Sequence, residues 1–141
     1  ITNIYTAETH FVLRPNFPLY QPFPAHCTGT GRVFLSHMSE AAQKWVYENS
    51  VGAIGMSQEE FLALLRKARK DGYARDDQAF NAGLRCVAAP IYLGGGKLLF
   101  ALSISAPTAR MDDAAYENAR KLVLKYAELI SQEIQSIEFR F

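Results

Sequence analysis

Two apolar runs of strand length, Arg85 to Leu93 and Lys97 to Ser105, are separated only by Gly94-Gly95-Gly96. A link that short leaves no room for a crossover helix, so the runs must pair antiparallel. The segment Tyr73 to Phe80 reads as a further strand before them. Near the start, Ile1 to Thr6 and Thr9 to Arg14 are rich in Ile, Thr, Val, Tyr and Phe, and read as two short strands. Pro15 to Pro24 holds four prolines, which remove ladder donors and predict an extended loop. Its aromatics, Phe17, Tyr20 and Phe23, are expected to cap the core rather than line a cavity mouth.

Helices fill the intervals. Thr28-Gly29-Thr30-Gly31 leads into a short helix at Arg32-Val33-Phe34-Leu35. Ser39 is placed to cap a second helix, with Ala41, Ala42, Trp45 and Val46 at helical spacing. Ser57 and Glu60 have the capping-box spacing. The helix they start carries Phe61, Leu62, Leu64, Leu65 and Ala68, and Gly72 can end it. Asp112 can cap a long final helix with an apolar stripe through Leu122, Val123, Ala127, Ile130, Ile134 and Ile137. The class is α+β, one antiparallel sheet with helices packed over it. A chain of 141 residues with 49% hydrophobic residues makes one domain, residues 1–141. It opens at Ile1, without a Met and inside a strand-like stretch, so truncation on its N-terminal side is expected.

Charge narrows the function. Fifteen Lys and Arg against fourteen Asp and Glu leave a formal net charge of +1, which gives no electrostatic footprint for nucleic acid. The basic run Arg66, Lys67, Arg69 and Lys70 is flanked by Glu59, Glu60 and Asp71, as on a solvated helix face. No apolar run is long enough to span a membrane and no signal peptide is present, so a cytoplasmic location is expected. Cys27 and Cys86 are read as reduced, and His10, His26 and His37 lack metal-ligand spacing. Neither a cofactor nor a metal is expected.

A polar cluster interrupts this apolar pattern. Leu98, Phe100, Leu102 and Ile104 alternate with Leu99, Ala101, Ser103 and Ser105. The bulky set calls for a packed helix. The other set ends in two hydroxyls on one face, which can donate to one oxyanion; a sheet face turned to water explains the same alternation equally well. At Thr28 to Gly31, glycines permit close approach to the backbone, and a helix start favours negative charge. Asp76 and Asp77 lie on a predicted strand, where Asp is unfavourable, and one of them must face the opposite side from its neighbour. The inward one can accept from a ligand hydroxyl or from a backbone amide. These groups suit a pocket for a small polar ligand.

The motifs themselves resemble a known family. Cys27-Thr28-Gly29-Thr30-Gly31-Arg32-Val33-Phe34-Leu35, Gly72-Tyr73-Ala74-Arg75-Asp76-Asp77, Gly83-Leu84-Arg85-Cys86-Val87-Ala88-Ala89-Pro90 and Leu102-Ser103-Ile104-Ser105-Ala106-Pro107-Thr108-Ala109-Arg110 occur in the order of the effector-binding domain of IclR-type transcription regulators. The resemblance implies a GAF-like fold that binds a small carboxylate metabolite. It also implies DNA binding through a separate helix-turn-helix domain and assembly as a homodimer or tetramer, acting as repressor or activator. By the family pattern the ligand-binding residues are Gly29, Thr30, Asp76, Leu84, Cys86, Ser103 and Ser105, with no catalytic residue. Arg32 stands where the family commonly has Lys, as in the branch that senses aromatic-catabolism acids.

Two other readings make different demands. A GAF-like thiol redox enzyme using Cys27 and Cys86 needs a depressed thiol pKa. A dimerisation module without ligand needs no pocket.

Overall fold

A computed structural model describes residues 1–50 and 55–138. Helices α1 (Gly29–Ser36), α2 (Glu40–Asn49) and α3 (Gln58–Asp71) precede strands β1 (Ala74–Asp77), β2 (Leu84–Tyr92) and β3 (Leu98–Pro107), and helix α4 (Asp113–Glu138) follows. The sheet order is β1-β2-β3, and both pairings are antiparallel. The fold is therefore α+β with a long final helix.

Local signals set the helix ends. The Ser39 side chain accepts from the Ala42 N–H. Ser57 and Glu60 form the reciprocal capping box, and Gly72 closes α3 in the left-handed conformation at φ 76°. Asp112 Oδ1 accepts from the Ala115 N–H at 2.8 Å at the start of α4. Helix α1 is longer than Arg32 to Leu35, because Thr28 caps it three residues earlier by accepting from Gly31.

The sheet is covered on both faces, so β2 is buried almost throughout. Val87, Ala89 and Ile91 pack with Tyr116, Ala119, Val123 and Ala127 of α4, joined by Leu102, Ile104 and Ala106 of β3. On the other face Ala74 and Ala88 pack with Val33 of α1 and Ala68 of α3, with Leu98 and Ala101 beside them. Leu35, Phe61 and Leu65 tie α1 to α3.

Several expectations are corrected. Ile1 to Thr6 and Thr9 to Arg14 are not strands; among the described residues this region makes only the isolated bridges Thr2–Pro22 and Asn3–Leu19. β-Rich composition cannot make a strand where prolines deny it a partner. The strand expected over Tyr73 to Phe80 stops at Asp77, because Gln78 takes a positive φ of 64° and turns the chain. Leu98 does not share a face with Phe100, Leu102 and Ile104. Ile91 pairs with Phe100 and Tyr92 with Leu98, so Leu99 is an extra residue that reverses the alternation. On α4, Leu122 and Ile137 lie off the buried stripe, at 39% and 52% exposure. Phe17 and Phe23 line a cavity instead of capping the core, and Tyr20 is exposed.

Gly31 sits where α1 crosses the Pro24–Thr28 loop, and a Cβ there would fall inside the backbone of Ala25. Backbone cannot yield as a flexible side chain can. Gly31→Ala is therefore expected to destabilise the fold by about 2–3 kcal/mol. Urea unfolding checks this, and an unchanged midpoint would contradict the close crossing.

Candidate functional site

Register brings the polar residues together. Asp76 on β1 pairs with Cys86 on β2, and Cys86 pairs with Ser105 on β3. The next row on the same face is Ala74, Ala88 and Ser103. Small side chains in that second row let α1 come down onto the sheet. A Cβ on Gly29 would stand 3.0 Å from Cys86 Sγ, tighter than nearly all real contacts, so only glycine fits without displacing the thiol.

A cavity of about 40 Å³ lies where the start of α1 meets these rows. That is space for more than one water-sized group. All seven residues singled out from the sequence line it: Gly29, Thr30, Asp76, Leu84, Cys86, Ser103 and Ser105. Thr28, Phe80 and four residues of the N-terminal segment, Ile1, Asn3, Phe17 and Phe23, complete the lining. Thr30, Ser103 and Ser105 also line an adjoining cavity of about 300 Å³. The N-terminal contributions were not readable from spacing, since nothing in a proline-rich loop says where it docks. The aromatic content of Pro15 to Pro24 was the available signal.

The site is braced from behind. Tyr116 of α4 donates its hydroxyl to the carbonyls of Asp76 at 3.2 Å and Cys86 at 2.8 Å. Arg85, opposite Asp77 in register, holds that carboxylate through two nitrogens at 2.9 and 3.1 Å, and also bonds Asp113 at 2.9 Å. Asp77 is thus an external ion pair, while Asp76 is the inward carboxylate at 1% exposure.

Asp76 is satisfied by backbone. Its Oδ1 accepts from Ala79 N–H at 2.7 Å and Phe80 N–H at 3.3 Å. Burial raises its pKa above the ordinary carboxylate value, and those two N–H groups oppose the rise. Arg32, also buried, makes no ion pair among the described residues; Nε donates to the His26 carbonyl at 3.0 Å and Nη1 to the Arg75 carbonyl at 2.7 Å. It links the loop before α1 to the strand that carries Asp76.

Both thiols are free, and neither is activated. Burial pushes Cys86 up to about 11, and the neighbouring Ser105, Ser103 and Gly29 oppose that rise only in part. Burial, then the charge of Asp76, also raises Cys27. Gly29 and Thr30, in the first turn of α1, line the cavity at this corner, whereas the Gly31 N–H is taken by Thr28. The lining therefore combines the hydroxyl residues Thr28, Thr30, Ser103 and Ser105 with the Asp76 carboxylate and a largely apolar remainder.

Residues 4–132 match the family model for the bacterial transcriptional regulator IclR C-terminal region. The chain belongs to the IclR family. It is 33% identical to the HTH-type transcriptional regulator XynR of Escherichia coli over 103 residues, covering 70% of this chain and 41% of XynR. It spans about half the length of the curated relatives it matches. Among solved structures it resembles the transcriptional regulator RHA06195 of Rhodococcus sp. RHA1, with a TM-score of 0.82 at 25% identity over 91% of this chain and 54% of that one. It also shares its fold with the inducer-binding domain of PobR from Acinetobacter, crystallised as a double mutant with 3-hydroxybenzoic acid. That match has a TM-score of 0.70 at 22% identity over 80% of this chain and 70% of that one. The homologues are transcriptional regulators.

Two outcomes follow from the buried groups. In native protein at pH 8, Cys86 is expected to resist a disulfide reagent until the chain unfolds, and Cys27 to react more slowly than free cysteine. Rapid native modification of Cys86 would contradict this and favour the thiol-enzyme reading. For Asp76 the folded pKa lies above the unfolded one, so its contribution to stability is full below the unfolded pKa and is lost as pH rises through the folded value. Asp76→Asn is therefore expected to be at least as stable as wild type at pH 7. The difference should close as pH falls through the carboxylate range. Chemical denaturation across pH checks it, and a mutant clearly weaker at pH 7 would contradict it.

Proposed function

We propose that this chain is the ligand-sensing domain of a transcriptional regulator, and that its effector is a small carboxylate held in the 40 Å³ cavity. The single observation that carries the reading is the convergence of Thr30, Ser103 and Ser105 on one open-mouthed cavity beside the start of α1. The family supports the regulatory role, and the residues lining the cavity support the chemistry. The Thr30 amide and the helix dipole face the carboxylate. The Ser103 and Ser105 hydroxyls donate to its oxygens. Leu84 and Cys86 give apolar walls, and Phe17, Phe23 and Phe80 give an aromatic rim. The acid bound by PobR is of this chemical type. DNA is read by the helix-turn-helix part of such a regulator, which works as a homodimer or tetramer in the cytoplasm. The domain performs no catalysis.

Hydrogen bonds to a charged group contribute about 1.5–3 kcal/mol each. Ser103→Ala combined with Ser105→Ala is thus expected to weaken binding of the effector by roughly a hundredfold or more, leaving the melting temperature of the free protein nearly unchanged. A thermal-shift panel of keto, hydroxy and aromatic acids identifies the effector, since a ligand of the folded form raises stability by mass action. Calorimetry on the double mutant then tests the site; undiminished affinity would place binding elsewhere.

A further inference from the structure

Helix α4 carries a second apolar row outside the core. Val123 and Ala127 turn inward, whereas Leu122, Tyr126, Leu129 and Ile137 are between 39% and 52% exposed. At 3.6 residues per turn these four fall within an arc of about 80°, and Glu133 falls within it too. The row faces away from β1. Glu117 marks that side by bonding Arg75, and Leu122 lies about 140° around the helix from Glu117. Leu122, Tyr126 and Leu129 are one turn apart in succession, so their side chains form one continuous surface rather than scattered exposed groups.

The charges beside this row are ordered along it. Lys125 borders it before Leu129, and Glu133 interrupts it after Leu129. Among the described residues neither side chain belongs to an ion pair. At 1.5 Å rise per residue, Lys125 and Glu133 stand about 6 Å to either side of Leu129. Leu122 and Ile137 stand about 10–12 Å to either side of it. A two-fold axis requires this kind of self-complementary spacing. Turned end for end on Leu129, a second α4 sets its Glu133 beside Lys125, its Lys125 beside Glu133 and its Ile137 against Leu122. A parallel copy would instead set like charges together.

We propose that the exposed row of α4 is the interface between two copies of this chain, packed antiparallel about a two-fold axis at Leu129. This assigns a surface to the assembly and does not depend on what the cavity binds.

Analytical ultracentrifugation of the 141-residue protein tests this. One helix face per copy is small for a stable dimer, so the wild-type protein is expected to dimerise reversibly at micromolar concentrations. Leu129→Arg sets two like charges at the axis and is expected to weaken the dimer at least a hundredfold. Lys125→Glu and Glu133→Lys each replace two attractive contacts by two repulsive ones, and each is expected to cost at least tenfold. Combined in one chain, the two substitutions restore the pairing, and association is expected to return to within about threefold of wild type. All three positions are exposed, so melting temperatures are expected to stay close to that of wild type. Wild-type protein that stays monomeric at about 500 µM would overturn the interface. So would a dimer that is indifferent to Leu129→Arg. Failure of the double exchange to restore association would overturn the antiparallel register. None of these readouts involves the acid panel, so the interface and the sensing reading stand or fall separately.

Discussion

The close seating of α1 on β2 is the contact on which the rest of the structure depends. Gly29 touches the Cys86 side of the sheet with no Cβ between them, and the row beneath is built from Ala74 and Ala88. A larger residue at Gly29 or Ala88 would lift the helix start and pull the Thr30 amide away from the serines. The other sheet face holds the same rows in register, since the Tyr116 hydroxyl bonds the carbonyls of both Asp76 and Cys86. Dispersion and burial hold the two layers against the sheet, while a few directed bonds fix where the polar corner falls.

Electrostatics at that corner is arranged with little direct ion pairing. Arg32 and Asp76 are both buried, and each is satisfied by backbone groups of the segments that wall the cavity. Breaking either set of bonds would leave a buried charge uncompensated, which is why these residues act on the shape of the site as much as on its charge. The contrast with Asp77 is direct. One residue along the strand, on the other face, the same side chain makes an exposed pair with Arg85 and serves the join between the sheet and α4.

Much of this was legible in the sequence because it depends on period and capping. The antiparallel hairpin, the Ser57–Glu60 box, the Gly72 stop and the inward placement of one of two adjacent aspartates all follow from local rules. Convergence of the Thr28–Gly31 corner with Ser103 and Ser105 needed the family pattern as well, because alternation alone fits a sheet face in water. Failures came where one residue changes parity or where a loop has no partner within its own pattern. Leu99 as a bulge reversed the face of Leu98, and a period-two reading has no means to see an inserted residue. Leu122 and Ile137 lie off the buried α4 stripe because apolar type alone does not fix the angle of a residue around the helix. The docking of Phe17 and Phe23 beside Phe80 depends on tertiary contacts across more than fifty residues.

A titration of isotopically labelled protein with the effector found in the acid panel, followed by backbone amide NMR shifts, puts the central claim to its most direct test. The account predicts that the largest changes cluster at Thr30, Asp76, Ser103 and Ser105, with Phe80 and Phe23 following. Changes centred instead on a separate surface cavity, lined by Arg69 of α3, Tyr92 of β2 and Ser131 of α4, would contradict it.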